Sequence, residues 1–187
     1  MHDLHLFMTL AGCRPAGRNT EQHDVYFGIG KEIKDLIPAL YDFWPEARKN
    51  LHLDAWRKVN YVDDYKVEVI LKDHSTVSRN DMKLFFINLG GYKADEFEEF
   101  HYKIILVATD KNAAIKMAKQ TAFFQHTGFK KAPAHIDDKF GIDVDDIFEI
   151  KDILSPSLKS MYNLQLTKVT SFENDSINLG YMKLDKL

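Results

Sequence analysis

Apolar and polar positions follow two periods along this chain. Residues 4–12, Leu-His-Leu-Phe-Met-Thr-Leu-Ala-Gly, form a short apolar stretch ended by glycine, which predicts a buried strand. Residues 13–21 carry Pro, Gly, Asn and two arginines and predict a loop. Residues 22–30 resume a strand with a β-branched and aromatic centre. From Lys31 to about Arg48 the spacing becomes helical. Ile33, Leu36, Ile37, Leu40, Phe43 and Trp44 recur every three or four positions and mark one apolar face. Pro38 removes a backbone donor inside that stretch and resets it into two short helices. Leu51-His52-Leu53-Asp54 reads as a connection. Residues 58–71 then alternate into a strand, clearest over Tyr65 to Leu71, and Asp73 to Asp81 reads as a polar linker.

The pattern then begins again. Met82 to Gly91 matches the first strand, pairing Phe7, Leu10 and Gly12 with Phe86, Leu89 and Gly91. His101 to Thr109 matches the second strand, and Asn112 to Phe124 is an Ala-rich helix. Ala134-His135-Ile136-Asp137 matches Leu51 to Asp54, and Val144-Asp145-Asp146 matches Val62-Asp63-Asp64 before a last strand ending near Ile150. Two copies are too few for a solenoid, so a pair of similar subdomains is expected. The tail from Ser155 holds two alternating stretches around Asn174-Asp175-Ser176, which predicts a hairpin-like extension. The expected fold is therefore α+β, with two tandem β-β-α-β units related by internal duplication. The expected divisions are 1–79, 80–154 and a C-terminal extension over 155–187.

Composition narrows the partners. Twenty-five basic residues stand against 28 acidic ones, for a net charge of −3. No basic stripe exists to neutralise phosphates, so nucleic acid is not an expected partner. The longest clean apolar run, Ile104 to Ala108, is far short of a membrane span, and Met1-His2-Asp3-Leu4-His5 lacks the basic and long apolar regions expected of a signal peptide. The single cysteine, Cys13, allows no intrachain disulfide and fits a reducing compartment. A cytoplasmic protein without membrane contact is expected. Arg14 beside Cys13 is a setting that lowers a thiol pKa. The second copy has Tyr92 there, so a shared thiol chemistry is not expected.

The repeat carries the candidate chemistry. Glu21-Gln22-His23 is followed by His52-Leu53-Asp54, and Glu99-Phe100-His101 by His135-Ile136-Asp137. If the first strand runs from one end of the sheet to the other, the second starts where the first stops. A helical crossover then returns the chain to that same end. Residues two apart on a strand face one way. Glu21, His23, His52 and Asp54 are thus expected to converge, as are Glu99, His101, His135 and Asp137. Two imidazoles and two carboxylates suit Zn²⁺, Mn²⁺ or Fe²⁺. A competing reading has the same pairs fixing loops by hydrogen bonds. Arg14 and Arg18 suit a small anionic ligand, and Trp56 can line its pocket.

Leu6 to Pro15, Glu21 to Val25 and Leu51 to Trp56 together resemble the small bacterial family catalogued as domain of unknown function 1543. Leu89 to Tyr92 and Glu99 to His101 resemble its second copy. The likeness covers most of residues 4–150. It implies a bacterial source and a tandem arrangement and carries no activity, cofactor or partner. Three functional readings follow in order. The first is a small non-enzymatic ligand-binding or protein-interaction module. The second is a divalent-metal-binding protein or metal-dependent hydrolase, and the third is a structural homodimer.

Overall fold

The computed structural model describes residues 4–72, 81–92, 95–121 and 143–187. Contacts divide the chain into two compact units, Met1–Val77 with Leu154–Leu187, and Ser78–Ile153. The α+β class holds, and every strand pairing described is antiparallel.

In the first unit β1 (His5–Cys13) lies between β2 (Gln22–Gly30) and β3 (His52–Lys58). The outer neighbour of β3 is β10 (Asn178–Lys183), giving the order β10-β3-β1-β2. The helical stretch breaks as Pro38 dictates. A 3-10 turn, Ile33–Leu36, precedes α1 (Ile37–Phe43), and Pro38 falls in the first turn of α1, where a missing N–H costs nothing. The Asp35 carboxylate accepts from the Lys31 and Glu32 amides at 2.9 and 3.0 Å and holds the turn's entry. Leu36 and Leu40 pack on Phe7, Ala11, Cys13 and Leu53, so the helical side of the sheet is the unit's core.

Residues 51–54 are not a connection: His52 opens β3. The alternating pattern there is hidden by a bulge at Asp54. Leu10 pairs with Ala55 but Ala11 pairs with Leu53, which leaves Asp54 as the extra residue. Leu53 and Trp56 consequently reach the same core from an odd spacing. What reads as one strand over 58–71 is the end of β3 followed by β4 (Tyr61–Val62) and β5 (Tyr65–Leu71). Asp63, at φ 52°, makes the turn between the last two. β5 also pairs with β9 (Tyr162–Lys168), so the order of this second sheet is β4-β5-β9. The tail therefore forms no hairpin. Its two strands join different sheets, β9 on β5 and β10 on β3, where each satisfies an open edge. Asp175 anchors the stretch between them. Its carboxylate accepts from the Asn60 and Tyr61 amides at 2.7 and 3.0 Å and from the Asn60 side chain at 2.7 Å.

The second unit has β6 (Lys83–Tyr92) between β7 (Glu99–Ala108) and β8 (Asp143–Glu149). Its helix α2 (Lys111–Ala118) starts on Asp110, whose carboxylate accepts from the Ala113 amide at 2.9 Å. That bond comes first among those holding the Asp110 carboxyl below its ordinary pKa. Ala114 and Ala118 pack on Phe85, Ile87, Leu89 and Leu106. A short helix, α3 (Ile150–Ile153), follows β8 and ends this unit, and α4 (Pro156–Met161) opens the chain's return to the first. No described helix is long and apolar enough to cross a membrane.

Strand register corrects the match between the halves by one residue. Gly12 lies opposite His23, and it is Gly90, not Gly91, that lies opposite His101. Phe7 then corresponds to Phe85 and Ala11 to Leu89, and all four are core residues. The slip matters because one residue reverses every side chain's face. β8 carries the same bulge as β3. Asn88 pairs with Asp146 and Leu89 with Val144, leaving Asp145 as the extra residue. Asp145 therefore corresponds to Asp54, not to the turn residue Asp63.

Candidate functional site

The first unit gathers its four residues as the topology requires. β2 begins at the end of the sheet where β1 finishes, and β3 begins there too, because Gly12 pairs with both His23 and His52. His52 and His23 share the sheet face away from the helical core. The bulge brings Asp54 to the same place. His23 Nε2 lies 3.1 Å from Asp54 Oδ2 and 3.6 Å from Glu21 Oε2. His52 Nε2 lies 3.1 Å from Glu21 Oε1 and 3.5 Å from Asp54 Oδ2. One donor atom each from Glu21, His52 and Asp54 falls within 4.8 Å of the others.

Gly12 makes this possible. A Cβ there would stand 2.6 Å from His52 Nε2 and 3.2 Å from the His23 ring, and would also collide with Asp54 Oδ2. The space a side chain would fill is taken by the cluster.

His52 is the most constrained member, with 3% of its side chain exposed. Its Nδ1 lies 2.9 Å from the Asn50 carbonyl, which can only accept, so Nδ1 carries a proton. Nε2 is then the atom turned toward Glu21 and Asp54. Its distances are short, yet among the described residues neither His52 Nε2 nor Asp54 Oδ2 has a hydrogen-bond partner. Tyr181 of β10 covers the ring, with centroids 4.2 Å apart and planes 34° apart.

The remaining candidates lie elsewhere. Trp56 sits on the core face, tilted against Phe7 at 6.1 Å, and is not brought into the cluster. Arg14 and Arg18 are exposed in the loop before Glu21. Cys13 is buried and its thiol donates to the Ala47 carbonyl at 3.8 Å. Burial, and then the Glu21 charge, push its pKa up, so the expected effect of Arg14 is overturned and the thiol stays protonated.

In the second unit His101 Nε2 lies 3.3 Å from Asp145 Oδ2 and 3.9 Å from Glu99 Oε2. His135 and Asp137 lie outside the described residues. Asp145 is the residue missed in the sequence. Its signal is there, since Asp143-Val144-Asp145 repeats the polar-apolar-Asp pattern of His52-Leu53-Asp54.

These features define an α+β protein of antiparallel sheets with His-carboxylate clusters at strand starts. Residues 18–69 match the family model described as Domain of Unknown Function (DUF1543), a span that contains Glu21, His23, His52 and Asp54. The crystal structure of a protein Il1583 from Idiomarina loihiensis has a similar fold. Its TM-score is 0.60 at 21% identity, over 97% of this chain and 98% of that one. No curated protein matches the sequence.

Proposed function

We propose that this chain is a non-enzymatic divalent-cation-binding protein, with Glu21, His23, His52 and Asp54 as its site. The observation that carries this reading is His52 Nε2, buried, aimed at two carboxylates and without a hydrogen bond. A loop-fixing network would use that nitrogen and those oxygens to bond one another, because an unpaired buried polar atom costs about 1–3 kcal/mol. A cation satisfies all of them at once. The Nδ1 bond to the Asn50 carbonyl fixes the ring and its tautomer, as the outer partners of metal-ligating histidines do. Two nitrogens and two carboxylate oxygens favour Zn²⁺ or Fe²⁺, with Mn²⁺ weaker. The tandem reading belongs to the same proposal: matched register and matched bulges support descent of both units from one.

Calorimetry with Zn²⁺ on untagged, chelator-treated protein tests the reading. Glu21→Gln keeps the side chain's shape and removes a ligand charge. It should weaken binding at least about tenfold and leave the metal-free melting temperature unchanged. Failure of the wild type to bind Zn²⁺, Fe²⁺ or Mn²⁺ would overturn it. So would a Glu21→Gln protein that binds as the wild type does.

A further inference from the structure

The second unit repeats the frame of the first with different donors. Glu99 and His101 follow Glu21 and His23 at one interval, and each histidine faces a strand glycine. Above Gly90 the space for a Cβ is taken by Asp145, whose Cγ and Oδ1 would both stand 2.8 Å from it. Donor atoms of Glu99, His101 and Asp145 lie within 4.8 Å of one another.

Two positions change character. The register place of His52, opposite Gly12, is held by Asp143, opposite Gly90. The place of Leu10 is held by Asn88, on the same strand face as Gly90 and two residues before it. The Asn88 amide nitrogen donates to Asp146 Oδ2 at 3.4 Å. Its Oδ1 is buried and, among the described residues, accepts no hydrogen bond. A buried carbonyl oxygen left without a donor is a ready ligand for a hard cation.

We propose that Glu99, His101 and Asp145 form a second cation site, of harder character than the first. Among the described residues it holds one imidazole where the first unit has two, and Asn88 offers an oxygen where the first unit has the carbon side chain of Leu10. Oxygen-rich sets favour Mn²⁺ and Ca²⁺, and nitrogen raises the share of Zn²⁺. Among the described residues no buried histidine like His52, 3% exposed, closes the site, and the His101 side chain is 35% exposed. Its cation should exchange faster than that of the first unit.

The test uses the full chain and two probes, Mn²⁺ read by loss of its free-ion electron paramagnetic resonance signal and Zn²⁺ read by calorimetry. Glu99→Gln and Asp145→Asn are each expected to weaken Mn²⁺ binding at least about tenfold, with the first unit's Zn²⁺ equivalent retained. Glu21→Gln should do the reverse. Retained Mn²⁺ binding in both Glu99→Gln and Asp145→Asn would overturn the second site and leave the first intact. Zn²⁺ lost in Glu99→Gln but kept in Glu21→Gln would overturn the first and leave the second.

Discussion

The two units place a histidine opposite a strand glycine and a carboxylate on a bulge, yet they finish the cluster differently. In the first unit a second histidine, 3% exposed, is locked by a backbone carbonyl and covered by an aromatic ring. In the second the clustered histidine is 35% exposed and the sheet order β7-β6-β8 includes no covering strand among the described residues. The difference teaches that register and bulge decide where the histidines and carboxylates stand. On the proposed cation-binding reading, the identity of one or two side chains then decides which ion is held, and how tightly.

The cores show the same division and supply the largest expected effect. The first unit's helical segment is held by Leu36 and Leu40, the second's by Ala114 and Ala118. Leu40→Ala removes a fully buried side chain and should cost about 2–5 kcal/mol in urea unfolding. In the second unit the close helix has only a methyl group to lose, so Ala114→Gly should cost about 1 kcal/mol, chiefly through helix propensity. Equal losses in both would mean that the two helices pack alike.

Next come the glycines beneath the clusters. Neither Gly12 nor Gly90 has the positive φ that excludes a side chain, so alanine is barred by space alone. Gly12→Ala should abolish the first unit's Zn²⁺ equivalent, a loss of about a hundredfold or more, and spare Mn²⁺ binding in the second. Gly90→Ala should do the opposite. Calorimetry on both variants separates the sites without touching a ligand. Unchanged Zn²⁺ binding in Gly12→Ala would place the cation elsewhere.

Much of this frame is legible in the sequence, and the failures share a cause. The helical break at Pro38 follows from the ring's missing N–H, and convergence of Glu21, His23, His52 and Asp54 follows from strand direction and the crossover. What could not be read is the effect of a bulge. One extra residue at Asp54 puts Leu53 and Trp56 on the same face, which erases the alternation that would announce β3. The same device in β8 matched Asp145 to Asp63, which the structure shows to be a turn residue. Pairing between distant strands was equally hidden. That β9 meets β5 while β10 meets β3 depends on which edges are open, and no local pattern encodes it.

The smallest expected effect tests whether the cover over His52 belongs to the site. β10 pairs Leu179 with Ala55 and Met182 with Leu53, so Gly180 and Tyr181 form a bulge opposite Asp54. Gly180 has φ 120°, a conformation closed to other residues, and nothing lies near the Cβ position. Glycine is therefore there for the backbone's path, and that path puts Tyr181 over His52. A stacked aromatic pair contributes about 0.5–1.5 kcal/mol. Tyr181→Ala should accordingly weaken Zn²⁺ binding in the first unit by about two- to tenfold, mainly through faster release. Tyr181→Phe keeps the ring and should bind as the wild type does. Gly180→Ala should resemble Tyr181→Ala, because it strains the bulge that aims the ring. Stopped-flow transfer of Zn²⁺ to a chelator measures the release. A Phe variant as fast as the Ala variant would shift the role from the ring to the hydroxyl. Wild-type release in Gly180→Ala would show that the bulge does not serve the site at all.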